Sequence, residues 1–279
     1  MNVVKQLLAA EKAGFLGTLD VQAAGVLPVA LGSATRLIPF LPSSDKEYVG
    51  ELVLGMSTVT DDMDGEIIDR KGVAGLGDMD VKTAMDSVAA QETQVPPHVS
   101  AKRLGGVRGY SAVRKEGRLI DFAPTPVSVR SFTVLQDRLD GELRRIVFRM
   151  LVTPGFYVRG FCRDVGAALG CGACMGRLLR TRAYGFGVGD TLSLAKLRRM
   201  AESHDLSFVT TGQERKDLLG ALPHVSLDGR NWNAFVHGVS VECGLMDETV
   251  ISVIRPDGQL GGVGTVRAGR LYPRKVLDR

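Results

Sequence analysis

The chain of 279 residues lacks the features that mark several large classes of protein. No apolar run reaches the 18 residues of a membrane-spanning helix, so no membrane span is predicted. Four cysteines in a chain of this length do not form a disulfide framework. The first residues lack the basic and then apolar layout of a secretory signal. Together these absences favour a cytoplasmic protein in a reducing compartment.

Motifs that hold common cofactors are missing as well. The chain has no Walker phosphate loop, and its glycine-rich run at 261–264 lacks the helix of a dinucleotide site, so we interpret it as turn and strand. Cys171 and Cys174 form one C-x-x-C without the second close pair of a zinc site. A redox pair remains the alternative, and packing against a helix end is favoured. We expect no cofactor and no metal.

Charge is unevenly distributed, although the net charge is only +4. Residues 45–92 carry twelve Asp or Glu against four Lys or Arg, whereas residues 151–200 carry eight Lys or Arg against two Asp. A basic surface attracts a polyanion and releases its counterions. The alternative is a solvated helix face. Because the basic run coincides with motifs described below, contact with RNA is favoured.

The most informative segment places one carboxylate, Asp20, in a loop of small and apolar residues. Gly14, Gly17 and Gly25 allow tight turns and the close approach of a partner, and Leu16 can pack beneath the loop. A single carboxylate on a braced loop suits a site in which one acid performs the chemistry. The alternative is an Asp that caps a turn.

The pattern of elements predicts an α+β fold, because strands do not alternate regularly with helices. Periodicity and end signals predict helices at 2–13, 80–90, 110–114, 158–169 and 194–203. Apolar runs predict strands at 26–31, 48–54, 126–135 and 144–152, the last two forming a hairpin. Past about residue 218, short apolar runs between turn residues suit a small β-barrel or sandwich.

Four segments carry motifs in a fixed order. They are G-T-L-D-x-x-A-x-G-V-L-P-V-A-L-G at 17–32, a K-x-Y strand with a T-x-T-x-D-x-x-G loop at 46–65, Q-x-P-P-x-x-S-A-K at 94–102, and G-x-Y-V-R with R-D and G-C-G-A at 155–173. Together they resemble the motifs of the TruB family, the bacterial tRNA pseudouridine-55 synthases. The resemblance covers residues 14–182.

The resemblance implies a fold and a function. The expected fold is a mixed, largely antiparallel sheet core of the pseudouridine synthase type with flanking helices, at 1–218, followed by a small PUA-like RNA-binding β domain at 219–279. The expected function is isomerisation of a uridine in the tRNA T-loop, at tRNA position 55, to pseudouridine. The base is flipped out of its stack for this reaction. The expected partner is the T-stem-loop of tRNA, bound by a monomer without a cofactor.

The resemblance also assigns the catalytic carboxylate to Asp20. This group would attack the ribose or remove a ribose proton, and both alternatives stay open. Either role needs an ionised carboxylate in a mostly apolar pocket, and Arg159 is the matching cation. The alternative for Arg159 is a phosphate contact.

The remaining matched residues are expected to hold the base and the RNA. Tyr48 would stack on the flipped base, Tyr157 would lie opposite with its hydroxyl available, and Leu178 would close the apolar wall. Ordinary core packing is the alternative for these three. Lys102 and Arg180 complete the expected RNA-binding set, with a structural role as the alternative for Lys102.

Three departures from the family pattern leave alternative functions open. Phe15-Leu16 stand where His-Thr is usual, Val21-Gln22 stand where Pro-Leu is common, and the K-P-x-G-x-T-S motif would fall before Met1. Two alternatives stay open: the true start lies upstream, where an in-frame reading of that motif would restore it, or the first strand is absent. A tRNA-folding chaperone without catalysis is the main alternative, and the guide-RNA-dependent branch of the superfamily is a weaker one.

Overall fold

The computed structural model describes residues 1–100, 103–104, 107–108, 121–210, 219, 222–246 and 248–277. The predicted helix at 110–114 and Lys102 lie outside these residues. The chain forms two compact units, the first made of residues 1–18, 27–43 and 184–279 and the second of residues 19–26 and 44–183. The predicted boundary at residue 218, between a catalytic domain and an RNA-binding domain, stays a prediction.

The described helices are α1 (Asn2–Leu7), α2 (Asp78–Ala89), α3 (Val158–Ala168), α4 (Leu194–Glu202) and α5 (Gly229–Val236), with 3-10 segments at Gly32–Phe40 and Val188–Asp190. The described strands are β1 (Ala13–Phe15), β2 (Ala23–Gly25), β3 (Val29–Leu31), β4 (Lys46–Leu54), β5 (Met56–Thr58), β6 (Ile67–Arg70), β7 (Thr93–Gln94), β8 (Arg103–Leu104), β9 (Val107–Arg108), β10 (Thr125–Pro126), β11 (Val129–Asp140), β12 (Leu143–Val152), β13 (Ala173–Ala183), β14 (Phe186–Gly187), β15 (His224–Ser226), β16 (Val241–Glu242), β17 (Glu248–Ile254), β18 (Leu260–Arg267) and β19 (Arg270–Val276).

The main sheet of the second unit has the strand order β11-β12-β4-β13. These neighbours are antiparallel, and β2 runs parallel to β13. The predicted strand at 48–54 and the predicted hairpin are therefore confirmed. The sheet is mixed and largely antiparallel, as expected for the α+β core.

Helix α3 packs on this sheet through aromatic side chains. The ring centroid of Phe161 lies 5.4 Å from that of Phe148 on β12 and 5.5 Å from that of Phe132 on β11. Alternate residues of β12 are buried, as the period of a strand with one covered face requires. This packing fixes the start of α3, where Arg159 lies, relative to the sheet.

The first unit contains a five-stranded sheet of order β15-β17-β18-β19-β16, with β15 parallel to β17 and the other pairs antiparallel. Its core includes Phe235 from α5 with Val241, Ile251 and Leu271. The C-terminal β structure expected from the short apolar runs is therefore present.

Several local predictions differ from the structure. The helix predicted at 2–13 ends at Leu7, because Ala9 takes a positive φ of 46° and β1 then pairs with β3. Only 29–31 of the strand predicted at 26–31 are extended as a strand. Helix α5 was not predicted, although Asp228 marks its start by accepting a hydrogen bond from the Asn231 amide at 2.8 Å. The run at 261–264 lies inside β18, so the predicted turn is wrong there and the strand is correct.

The four cysteines are free thiols. Cys171 follows the end of α3 and is buried, in line with the favoured packing role, whereas Cys174 is buried within β13. Burial raises the pKa of Cys174 to about 12. Such a thiol is a poor nucleophile at neutral pH. In the described part of the chain, no helix is long and apolar enough to cross a membrane.

The β11–β12 hairpin is tied to α2 by one buried arginine. Arg144 donates two hydrogen bonds to the carboxylate of Asp137, at 2.9 and 2.6 Å, and one to Asp78 at 2.6 Å. It also donates to the carbonyl oxygen of Leu76 at 3.1 Å. A buried guanidinium that satisfies three partners locks their relative positions.

We expect Arg144→Ala to lower the free energy of unfolding by at least about 2 kcal/mol, because hydrogen bonds to charged groups are lost and Asp137 is left uncompensated. Urea unfolding followed by circular dichroism measures the change. Arg138→Ala, at an exposed position of β11, is the control and should change stability by less than about 0.5 kcal/mol. Equal effects of the two substitutions would contradict this interpretation.

Candidate active site

The loop that carries Asp20 is fastened to strand β13. The amide of Ala23 donates to the carbonyl oxygen of Asp20 at 3.0 Å, which closes a turn directly before β2. After β2, the amide of Val26 donates to the Arg180 carbonyl oxygen at 2.9 Å, and Arg180 Nε donates to the Val26 carbonyl oxygen at 2.8 Å. The chain that follows the Asp20 turn is therefore held to β13 by two hydrogen bonds between Val26 and Arg180, one in each direction.

Gly25 is required for this arrangement. Its φ is +110°, and a Cβ there would lie 2.1 Å from the carbonyl oxygen of Arg180. Only glycine combines this backbone conformation with so close an approach. Gly25, in the same loop segment as Asp20, thus allows β2 to pair with β13.

Asp20 forms an ion pair with Arg159, in the first turn of α3. Arg159 Nε donates to Asp20 Oδ2 at 2.9 Å and Nη2 donates to Oδ1 at 3.2 Å. The arginine side chain is only 5% exposed, whereas the Asp20 side chain is 36% exposed. The guanidinium thus contacts the carboxylate from inside the protein, and part of the carboxylate stays open to a ligand.

A second carboxylate lies beneath the same guanidinium. Asp62 is buried, and its Oδ2 lies 3.8 Å from Arg159 Nε. The remaining nitrogen, Arg159 Nη1, donates to the carbonyl oxygen of Thr60 at 2.9 Å. A buried cation costs several kcal/mol unless it is paired, and these three partners satisfy Arg159.

The loop at 58–65 holds Asp62 in place through its own hydrogen bonds. Thr60 Oγ1 and the Asp64 amide donate to Asp62 Oδ1 at 2.6 and 3.2 Å. A Cβ on Gly65 would lie 2.2 Å from Thr60 Oγ1, so the last residue of the loop has to be small. The spacing of the T-x-T-x-D-x-x-G motif is therefore a requirement of this compact loop.

The residue before α3 is clamped by a buried amide. Gln94 Nε2 donates to the Tyr157 carbonyl oxygen at 3.0 Å, and the Tyr157 amide donates to Gln94 Oε1 at 2.8 Å. The Gln94 side chain also lies against Gly160, where a Cβ would come within 3.0 Å of its amide. Gln94 thus sets where α3 begins, and with it the position of Arg159.

The phenol of Tyr157 belongs to the same group. Burial raises the pKa of Tyr157, while Ser100 and the charge of Arg159 oppose the rise and the charge of Asp20 adds to it. The hydroxyl therefore stays protonated at neutral pH and can donate a hydrogen bond.

Comparison with known proteins identifies the family. The sequence model of the TruB family pseudouridylate synthase N-terminal domain matches residues 5–158. The chain belongs to the TruB family. A tRNA pseudouridine synthase B of Nostoc is 33% identical over 276 residues, which cover 99% of this chain and 92% of the relative. A tRNA pseudouridine synthase B of Ruegeria is 34% identical over 284 residues, covering 100% and 91%.

Solved structures of other proteins have a similar fold. A chain of an H/ACA RNP bound to a substrate RNA containing 2′-deoxyuridine matches with a TM-score of 0.65 and 22% identity, over 99% of this chain and 79% of the other. A chain of a Cbf5-Nop10-Gar1 complex matches with a TM-score of 0.64 and 22% identity, with the same coverage. At this identity the likeness concerns the fold.

The structure brings together three of the predicted site residues, Asp20, Arg159 and Tyr157. Tyr48 and Leu178 are buried on the adjacent strands β4 and β13 and belong to the main core cluster of the second unit. Burial in the core agrees with the alternative in which these two side chains only pack in the core. Their contact with a base stays a prediction.

Arg180 lies in a setting that the sequence did not suggest. It was expected at an RNA-binding surface, but its side chain is 0% exposed and holds the Val26 carbonyl oxygen. Alternation along β13 explains the difference, because Arg177 and Leu179 face outward while Leu178 and Arg180 face inward. Lys102 lies outside the described residues.

Three residues of this TruB-family site were not assigned from the sequence: Thr60, Asp62 and Gln94. All three lie in motifs quoted above, so the signal was present. What the sequence did not reveal is that the Asp62 carboxylate approaches the same guanidinium as Asp20, and that the Gln94 side chain binds the backbone before α3.

We expect Gln94→Ala to increase the hydrogen-exchange rate of the Tyr157 amide by at least about tenfold, because that amide loses its buried acceptor. Exchange measured by NMR or mass spectrometry tests this. Gln91→Ala, at an exposed position three residues away, is the matched control and should leave the rate unchanged. Protection at Tyr157 that survives Gln94→Ala would show that the clamp does not hold the start of α3.

Proposed function

We propose that this chain is a tRNA pseudouridine synthase in which Asp20 acts on a uridine of the T-loop. The observation that carries the proposal is the two-point ion pair of Asp20 with the buried Arg159. A cation with this geometry forms two charge-assisted hydrogen bonds with the carboxylate and fixes its orientation. The family membership and the curated relatives support the reaction itself, an isomerisation within RNA.

The reaction breaks the bond between the ribose and a uracil nitrogen and joins the same uracil to the ribose through carbon. Substrate and product are isomers, so no oxidant, reductant or second substrate enters the balance. Asp20 either attacks the ribose or removes one of its protons. Both roles need an ionised carboxylate with an accessible face, and the partial exposure of Asp20 supplies it.

The target uridine has to leave its stack to reach this carboxylate, at a cost of a few kcal/mol. We assign the apolar surface that receives it to Tyr48 and Leu178. Tyr157, whose hydroxyl stays protonated, supplies a donor on the Asp20 side. Arg159 and Asp62 orient Asp20 from below, and Arg180 braces the loop. Base stacking on an aromatic face contributes ~1–3 kcal/mol, which offsets much of the cost of flipping.

The three charged groups act as a unit in this proposal. Asp62 shares Arg159 with Asp20, so it limits how strongly the guanidinium attracts the reacting carboxylate and keeps the side chain in place when Asp20 engages the ribose. All of these groups belong to one chain and to its second unit, which supports action as a monomer. We place this action on tRNA in the cytoplasm.

The alternative of a chaperone without catalysis fits less well. A protein that only binds RNA does not need a buried cation beneath a partly exposed carboxylate.

The replacement of the usual His by Phe15 does not remove a surface for RNA. Phe15 is 40% exposed in the first unit, so an aromatic side chain is available to RNA at that position.

We expect Asp20→Asn to lower the single-turnover rate of pseudouridine formation by at least about a hundredfold, which corresponds to about 2.7 kcal/mol of lost barrier reduction. The affinity for tRNA should stay within about threefold, since the change removes one charge and keeps the shape. Pseudouridine is measured by tritium release and the affinity by filter binding. Asp69→Asn, at an exposed position on β6, should keep the normal rate. Near-normal turnover by the Asp20 variant would refute the assignment.

We expect the purified chain to modify an isolated T-arm stem-loop without any guide RNA. Chemical mapping should place pseudouridine at a single loop uridine, and an anticodon-arm hairpin of equal length should remain unmodified. Tight, salt-sensitive binding of the T-arm without product would favour the chaperone instead. Product that forms only with an added guide RNA would favour the guide-dependent branch.

A further inference from the structure

Arg163 lies one helical turn beyond Arg159 on the same face of α3, and it has no part in the site described above. It belongs to the R-D pair of the fourth motif, which the assigned function leaves unexplained. Its side chain is 28% exposed, yet each of its three nitrogens donates a hydrogen bond. The residue is therefore engaged within the protein rather than free at the surface.

The guanidinium of Arg163 joins α3 to two other segments of the second unit. Nη2 donates to the Val95 carbonyl oxygen at 2.8 Å, and Nη1 donates to Asp61 Oδ2 at 3.4 Å. Nε donates to Asp164 Oδ1, on the same helix, at 2.9 Å. Because a guanidinium is planar and its donors point in fixed directions, it fixes the relative positions of the acceptors that it holds.

The Val95 contact ties Arg163 to the clamp at the start of α3. Val95 directly follows Gln94, whose side chain exchanges two hydrogen bonds with the Tyr157 backbone. The bond from Arg163 therefore fastens the segment that carries the clamp to α3 at a second point, further along the helix.

The Asp61 contact ties Arg163 to the loop that satisfies Arg159. Asp61 lies directly between Thr60 and Asp62. The Thr60 carbonyl oxygen accepts a hydrogen bond from Arg159 at 2.9 Å, and Asp62 Oδ2 lies 3.8 Å from Arg159 Nε. A displacement of Asp61 would therefore move two partners of Arg159 at once.

The backbone at Asp61 has to be held in place. Its φ is +59°, in the left-handed region that residues other than glycine rarely adopt. Such a conformation persists only where the surrounding contacts fix it. The Met175 amide donates to the Asp61 carbonyl oxygen at 2.9 Å, and the ion pair with Arg163 fixes the side chain. Without that ion pair, main-chain contacts alone would hold the strained backbone.

The charge of Arg163 also acts on the Asp61 carboxyl group. Burial raises the pKa of Asp61, and the charge of Asp164 adds to the rise. The charges of Arg163, Arg159 and His98 oppose it, and Arg163 has the largest opposing effect. Arg163 thus helps to keep Asp61 ionised and the ion pair intact.

We propose that Arg163 is a positioning residue for the reaction assigned to Asp20, because it holds both segments that fix Arg159. The inference rests on the proposed function for the reaction that reports it. Arg163 acts through Arg159, which in turn orients Asp20, and it does not contact the substrate. Its loss therefore slows the chemical step and leaves the binding of RNA unchanged.

The test compares the full chain with R163Q, which removes the charge and the fixed set of donors. We expect the single-turnover rate on a T-arm hairpin at saturating enzyme to fall about tenfold, since a misplacement of roughly 1 Å can cost about a hundredfold in rate. The dissociation constant for the hairpin, measured by filter binding, should stay within about twofold, because no contact with RNA is removed.

The pH dependence of the rate separates positioning from a general loss of packing. In R163Q the largest charge that opposes the rise is gone, so the pKa of Asp61 rises further and the carboxyl group is protonated at higher pH. Protonated Asp61 is no longer attracted to Arg159 and His98, which releases the loop. We therefore expect the rate of R163Q to fall off at higher pH on the acid side.

Two further variants show whether Asp61 carries the effect. R163K restores the charge, so it should return the acid side of the profile and recover part of the rate. In proteins that also carry Asp61→Asn, R163Q should no longer shift the profile, because no carboxyl group remains there to titrate.

The matched control is R138Q, which removes an exposed arginine of the same unit. It should leave the rate, the dissociation constant and the pH profile unchanged. Thermal melting confirms that the variants are folded.

The outcomes distinguish this proposal from the proposed function. If the unchanged chain forms pseudouridine and R163Q does so at a normal rate, the positioning role is overturned. Weaker binding with a normal saturated rate would show that Arg163 contacts RNA instead, and a slower rate with an unshifted pH profile would indicate a loss of packing. Both results would also overturn it.

Hydrogen exchange at the Met175 amide tests the contact without turnover, because that amide donates to the Asp61 carbonyl oxygen. Faster exchange in R163Q than in R138Q supports the proposal even if the unchanged chain forms no pseudouridine, in which case only the proposed function fails. Equal exchange in the two variants would overturn the hold of Arg163 on the loop.

Discussion

The ion pair between Asp20 and Arg159 joins two parts of the second unit that are 139 residues apart in sequence. The ion pair can orient a carboxylate for a ligand because the arginine is buried while the carboxylate is partly exposed. A buried guanidinium has little freedom. Besides Asp20 it is held by the Thr60 carbonyl oxygen and by Asp62, and its helix α3 is packed on the sheet. The cost of ordering Asp20 is therefore borne by the fold before any ligand arrives, which is the physical meaning of a preorganised site.

The positions of both partners follow from backbone contacts rather than from surface chemistry. On one side, β2 pairs with β13 beyond Asp20, and Gly25 permits the close approach. On the other side, Gln94 clamps the backbone at Tyr157, and the phenylalanine cluster holds α3. The site thus depends on residues that never touch a substrate, and a change in any of them would move the carboxylate without altering it.

Basic residues in this chain have two different uses. Arg144, Arg159 and Arg180 are buried and each satisfies acceptors within the protein, so they organise the fold and the site. Arg36, Arg274 and Lys275 are exposed to solvent instead. The net charge of +4 reflects both groups, and only burial separates the arginines that build the structure from those available to a ligand.

The sequence alone determined the family, the α+β class, three of the long strands, and the pairing of Asp20 with Arg159 as carboxylate and cation, whereas the eleven-residue strand β13 was not predicted. Ordered motifs and strong apolar alternation carry that information locally, and β4, the β11–β12 hairpin and α3 were therefore predicted close to their observed bounds. It did not determine that Arg180 points inward, that Asp62 shares the guanidinium of Arg159, or that Gln94 clamps Tyr157. Those facts depend on strand register and on contacts between distant segments, and a shift of one residue along β13 would exchange which side chains are buried. Tertiary structure decided them because burial and hydrogen-bond partners belong to the packed chain and to no single stretch of its sequence.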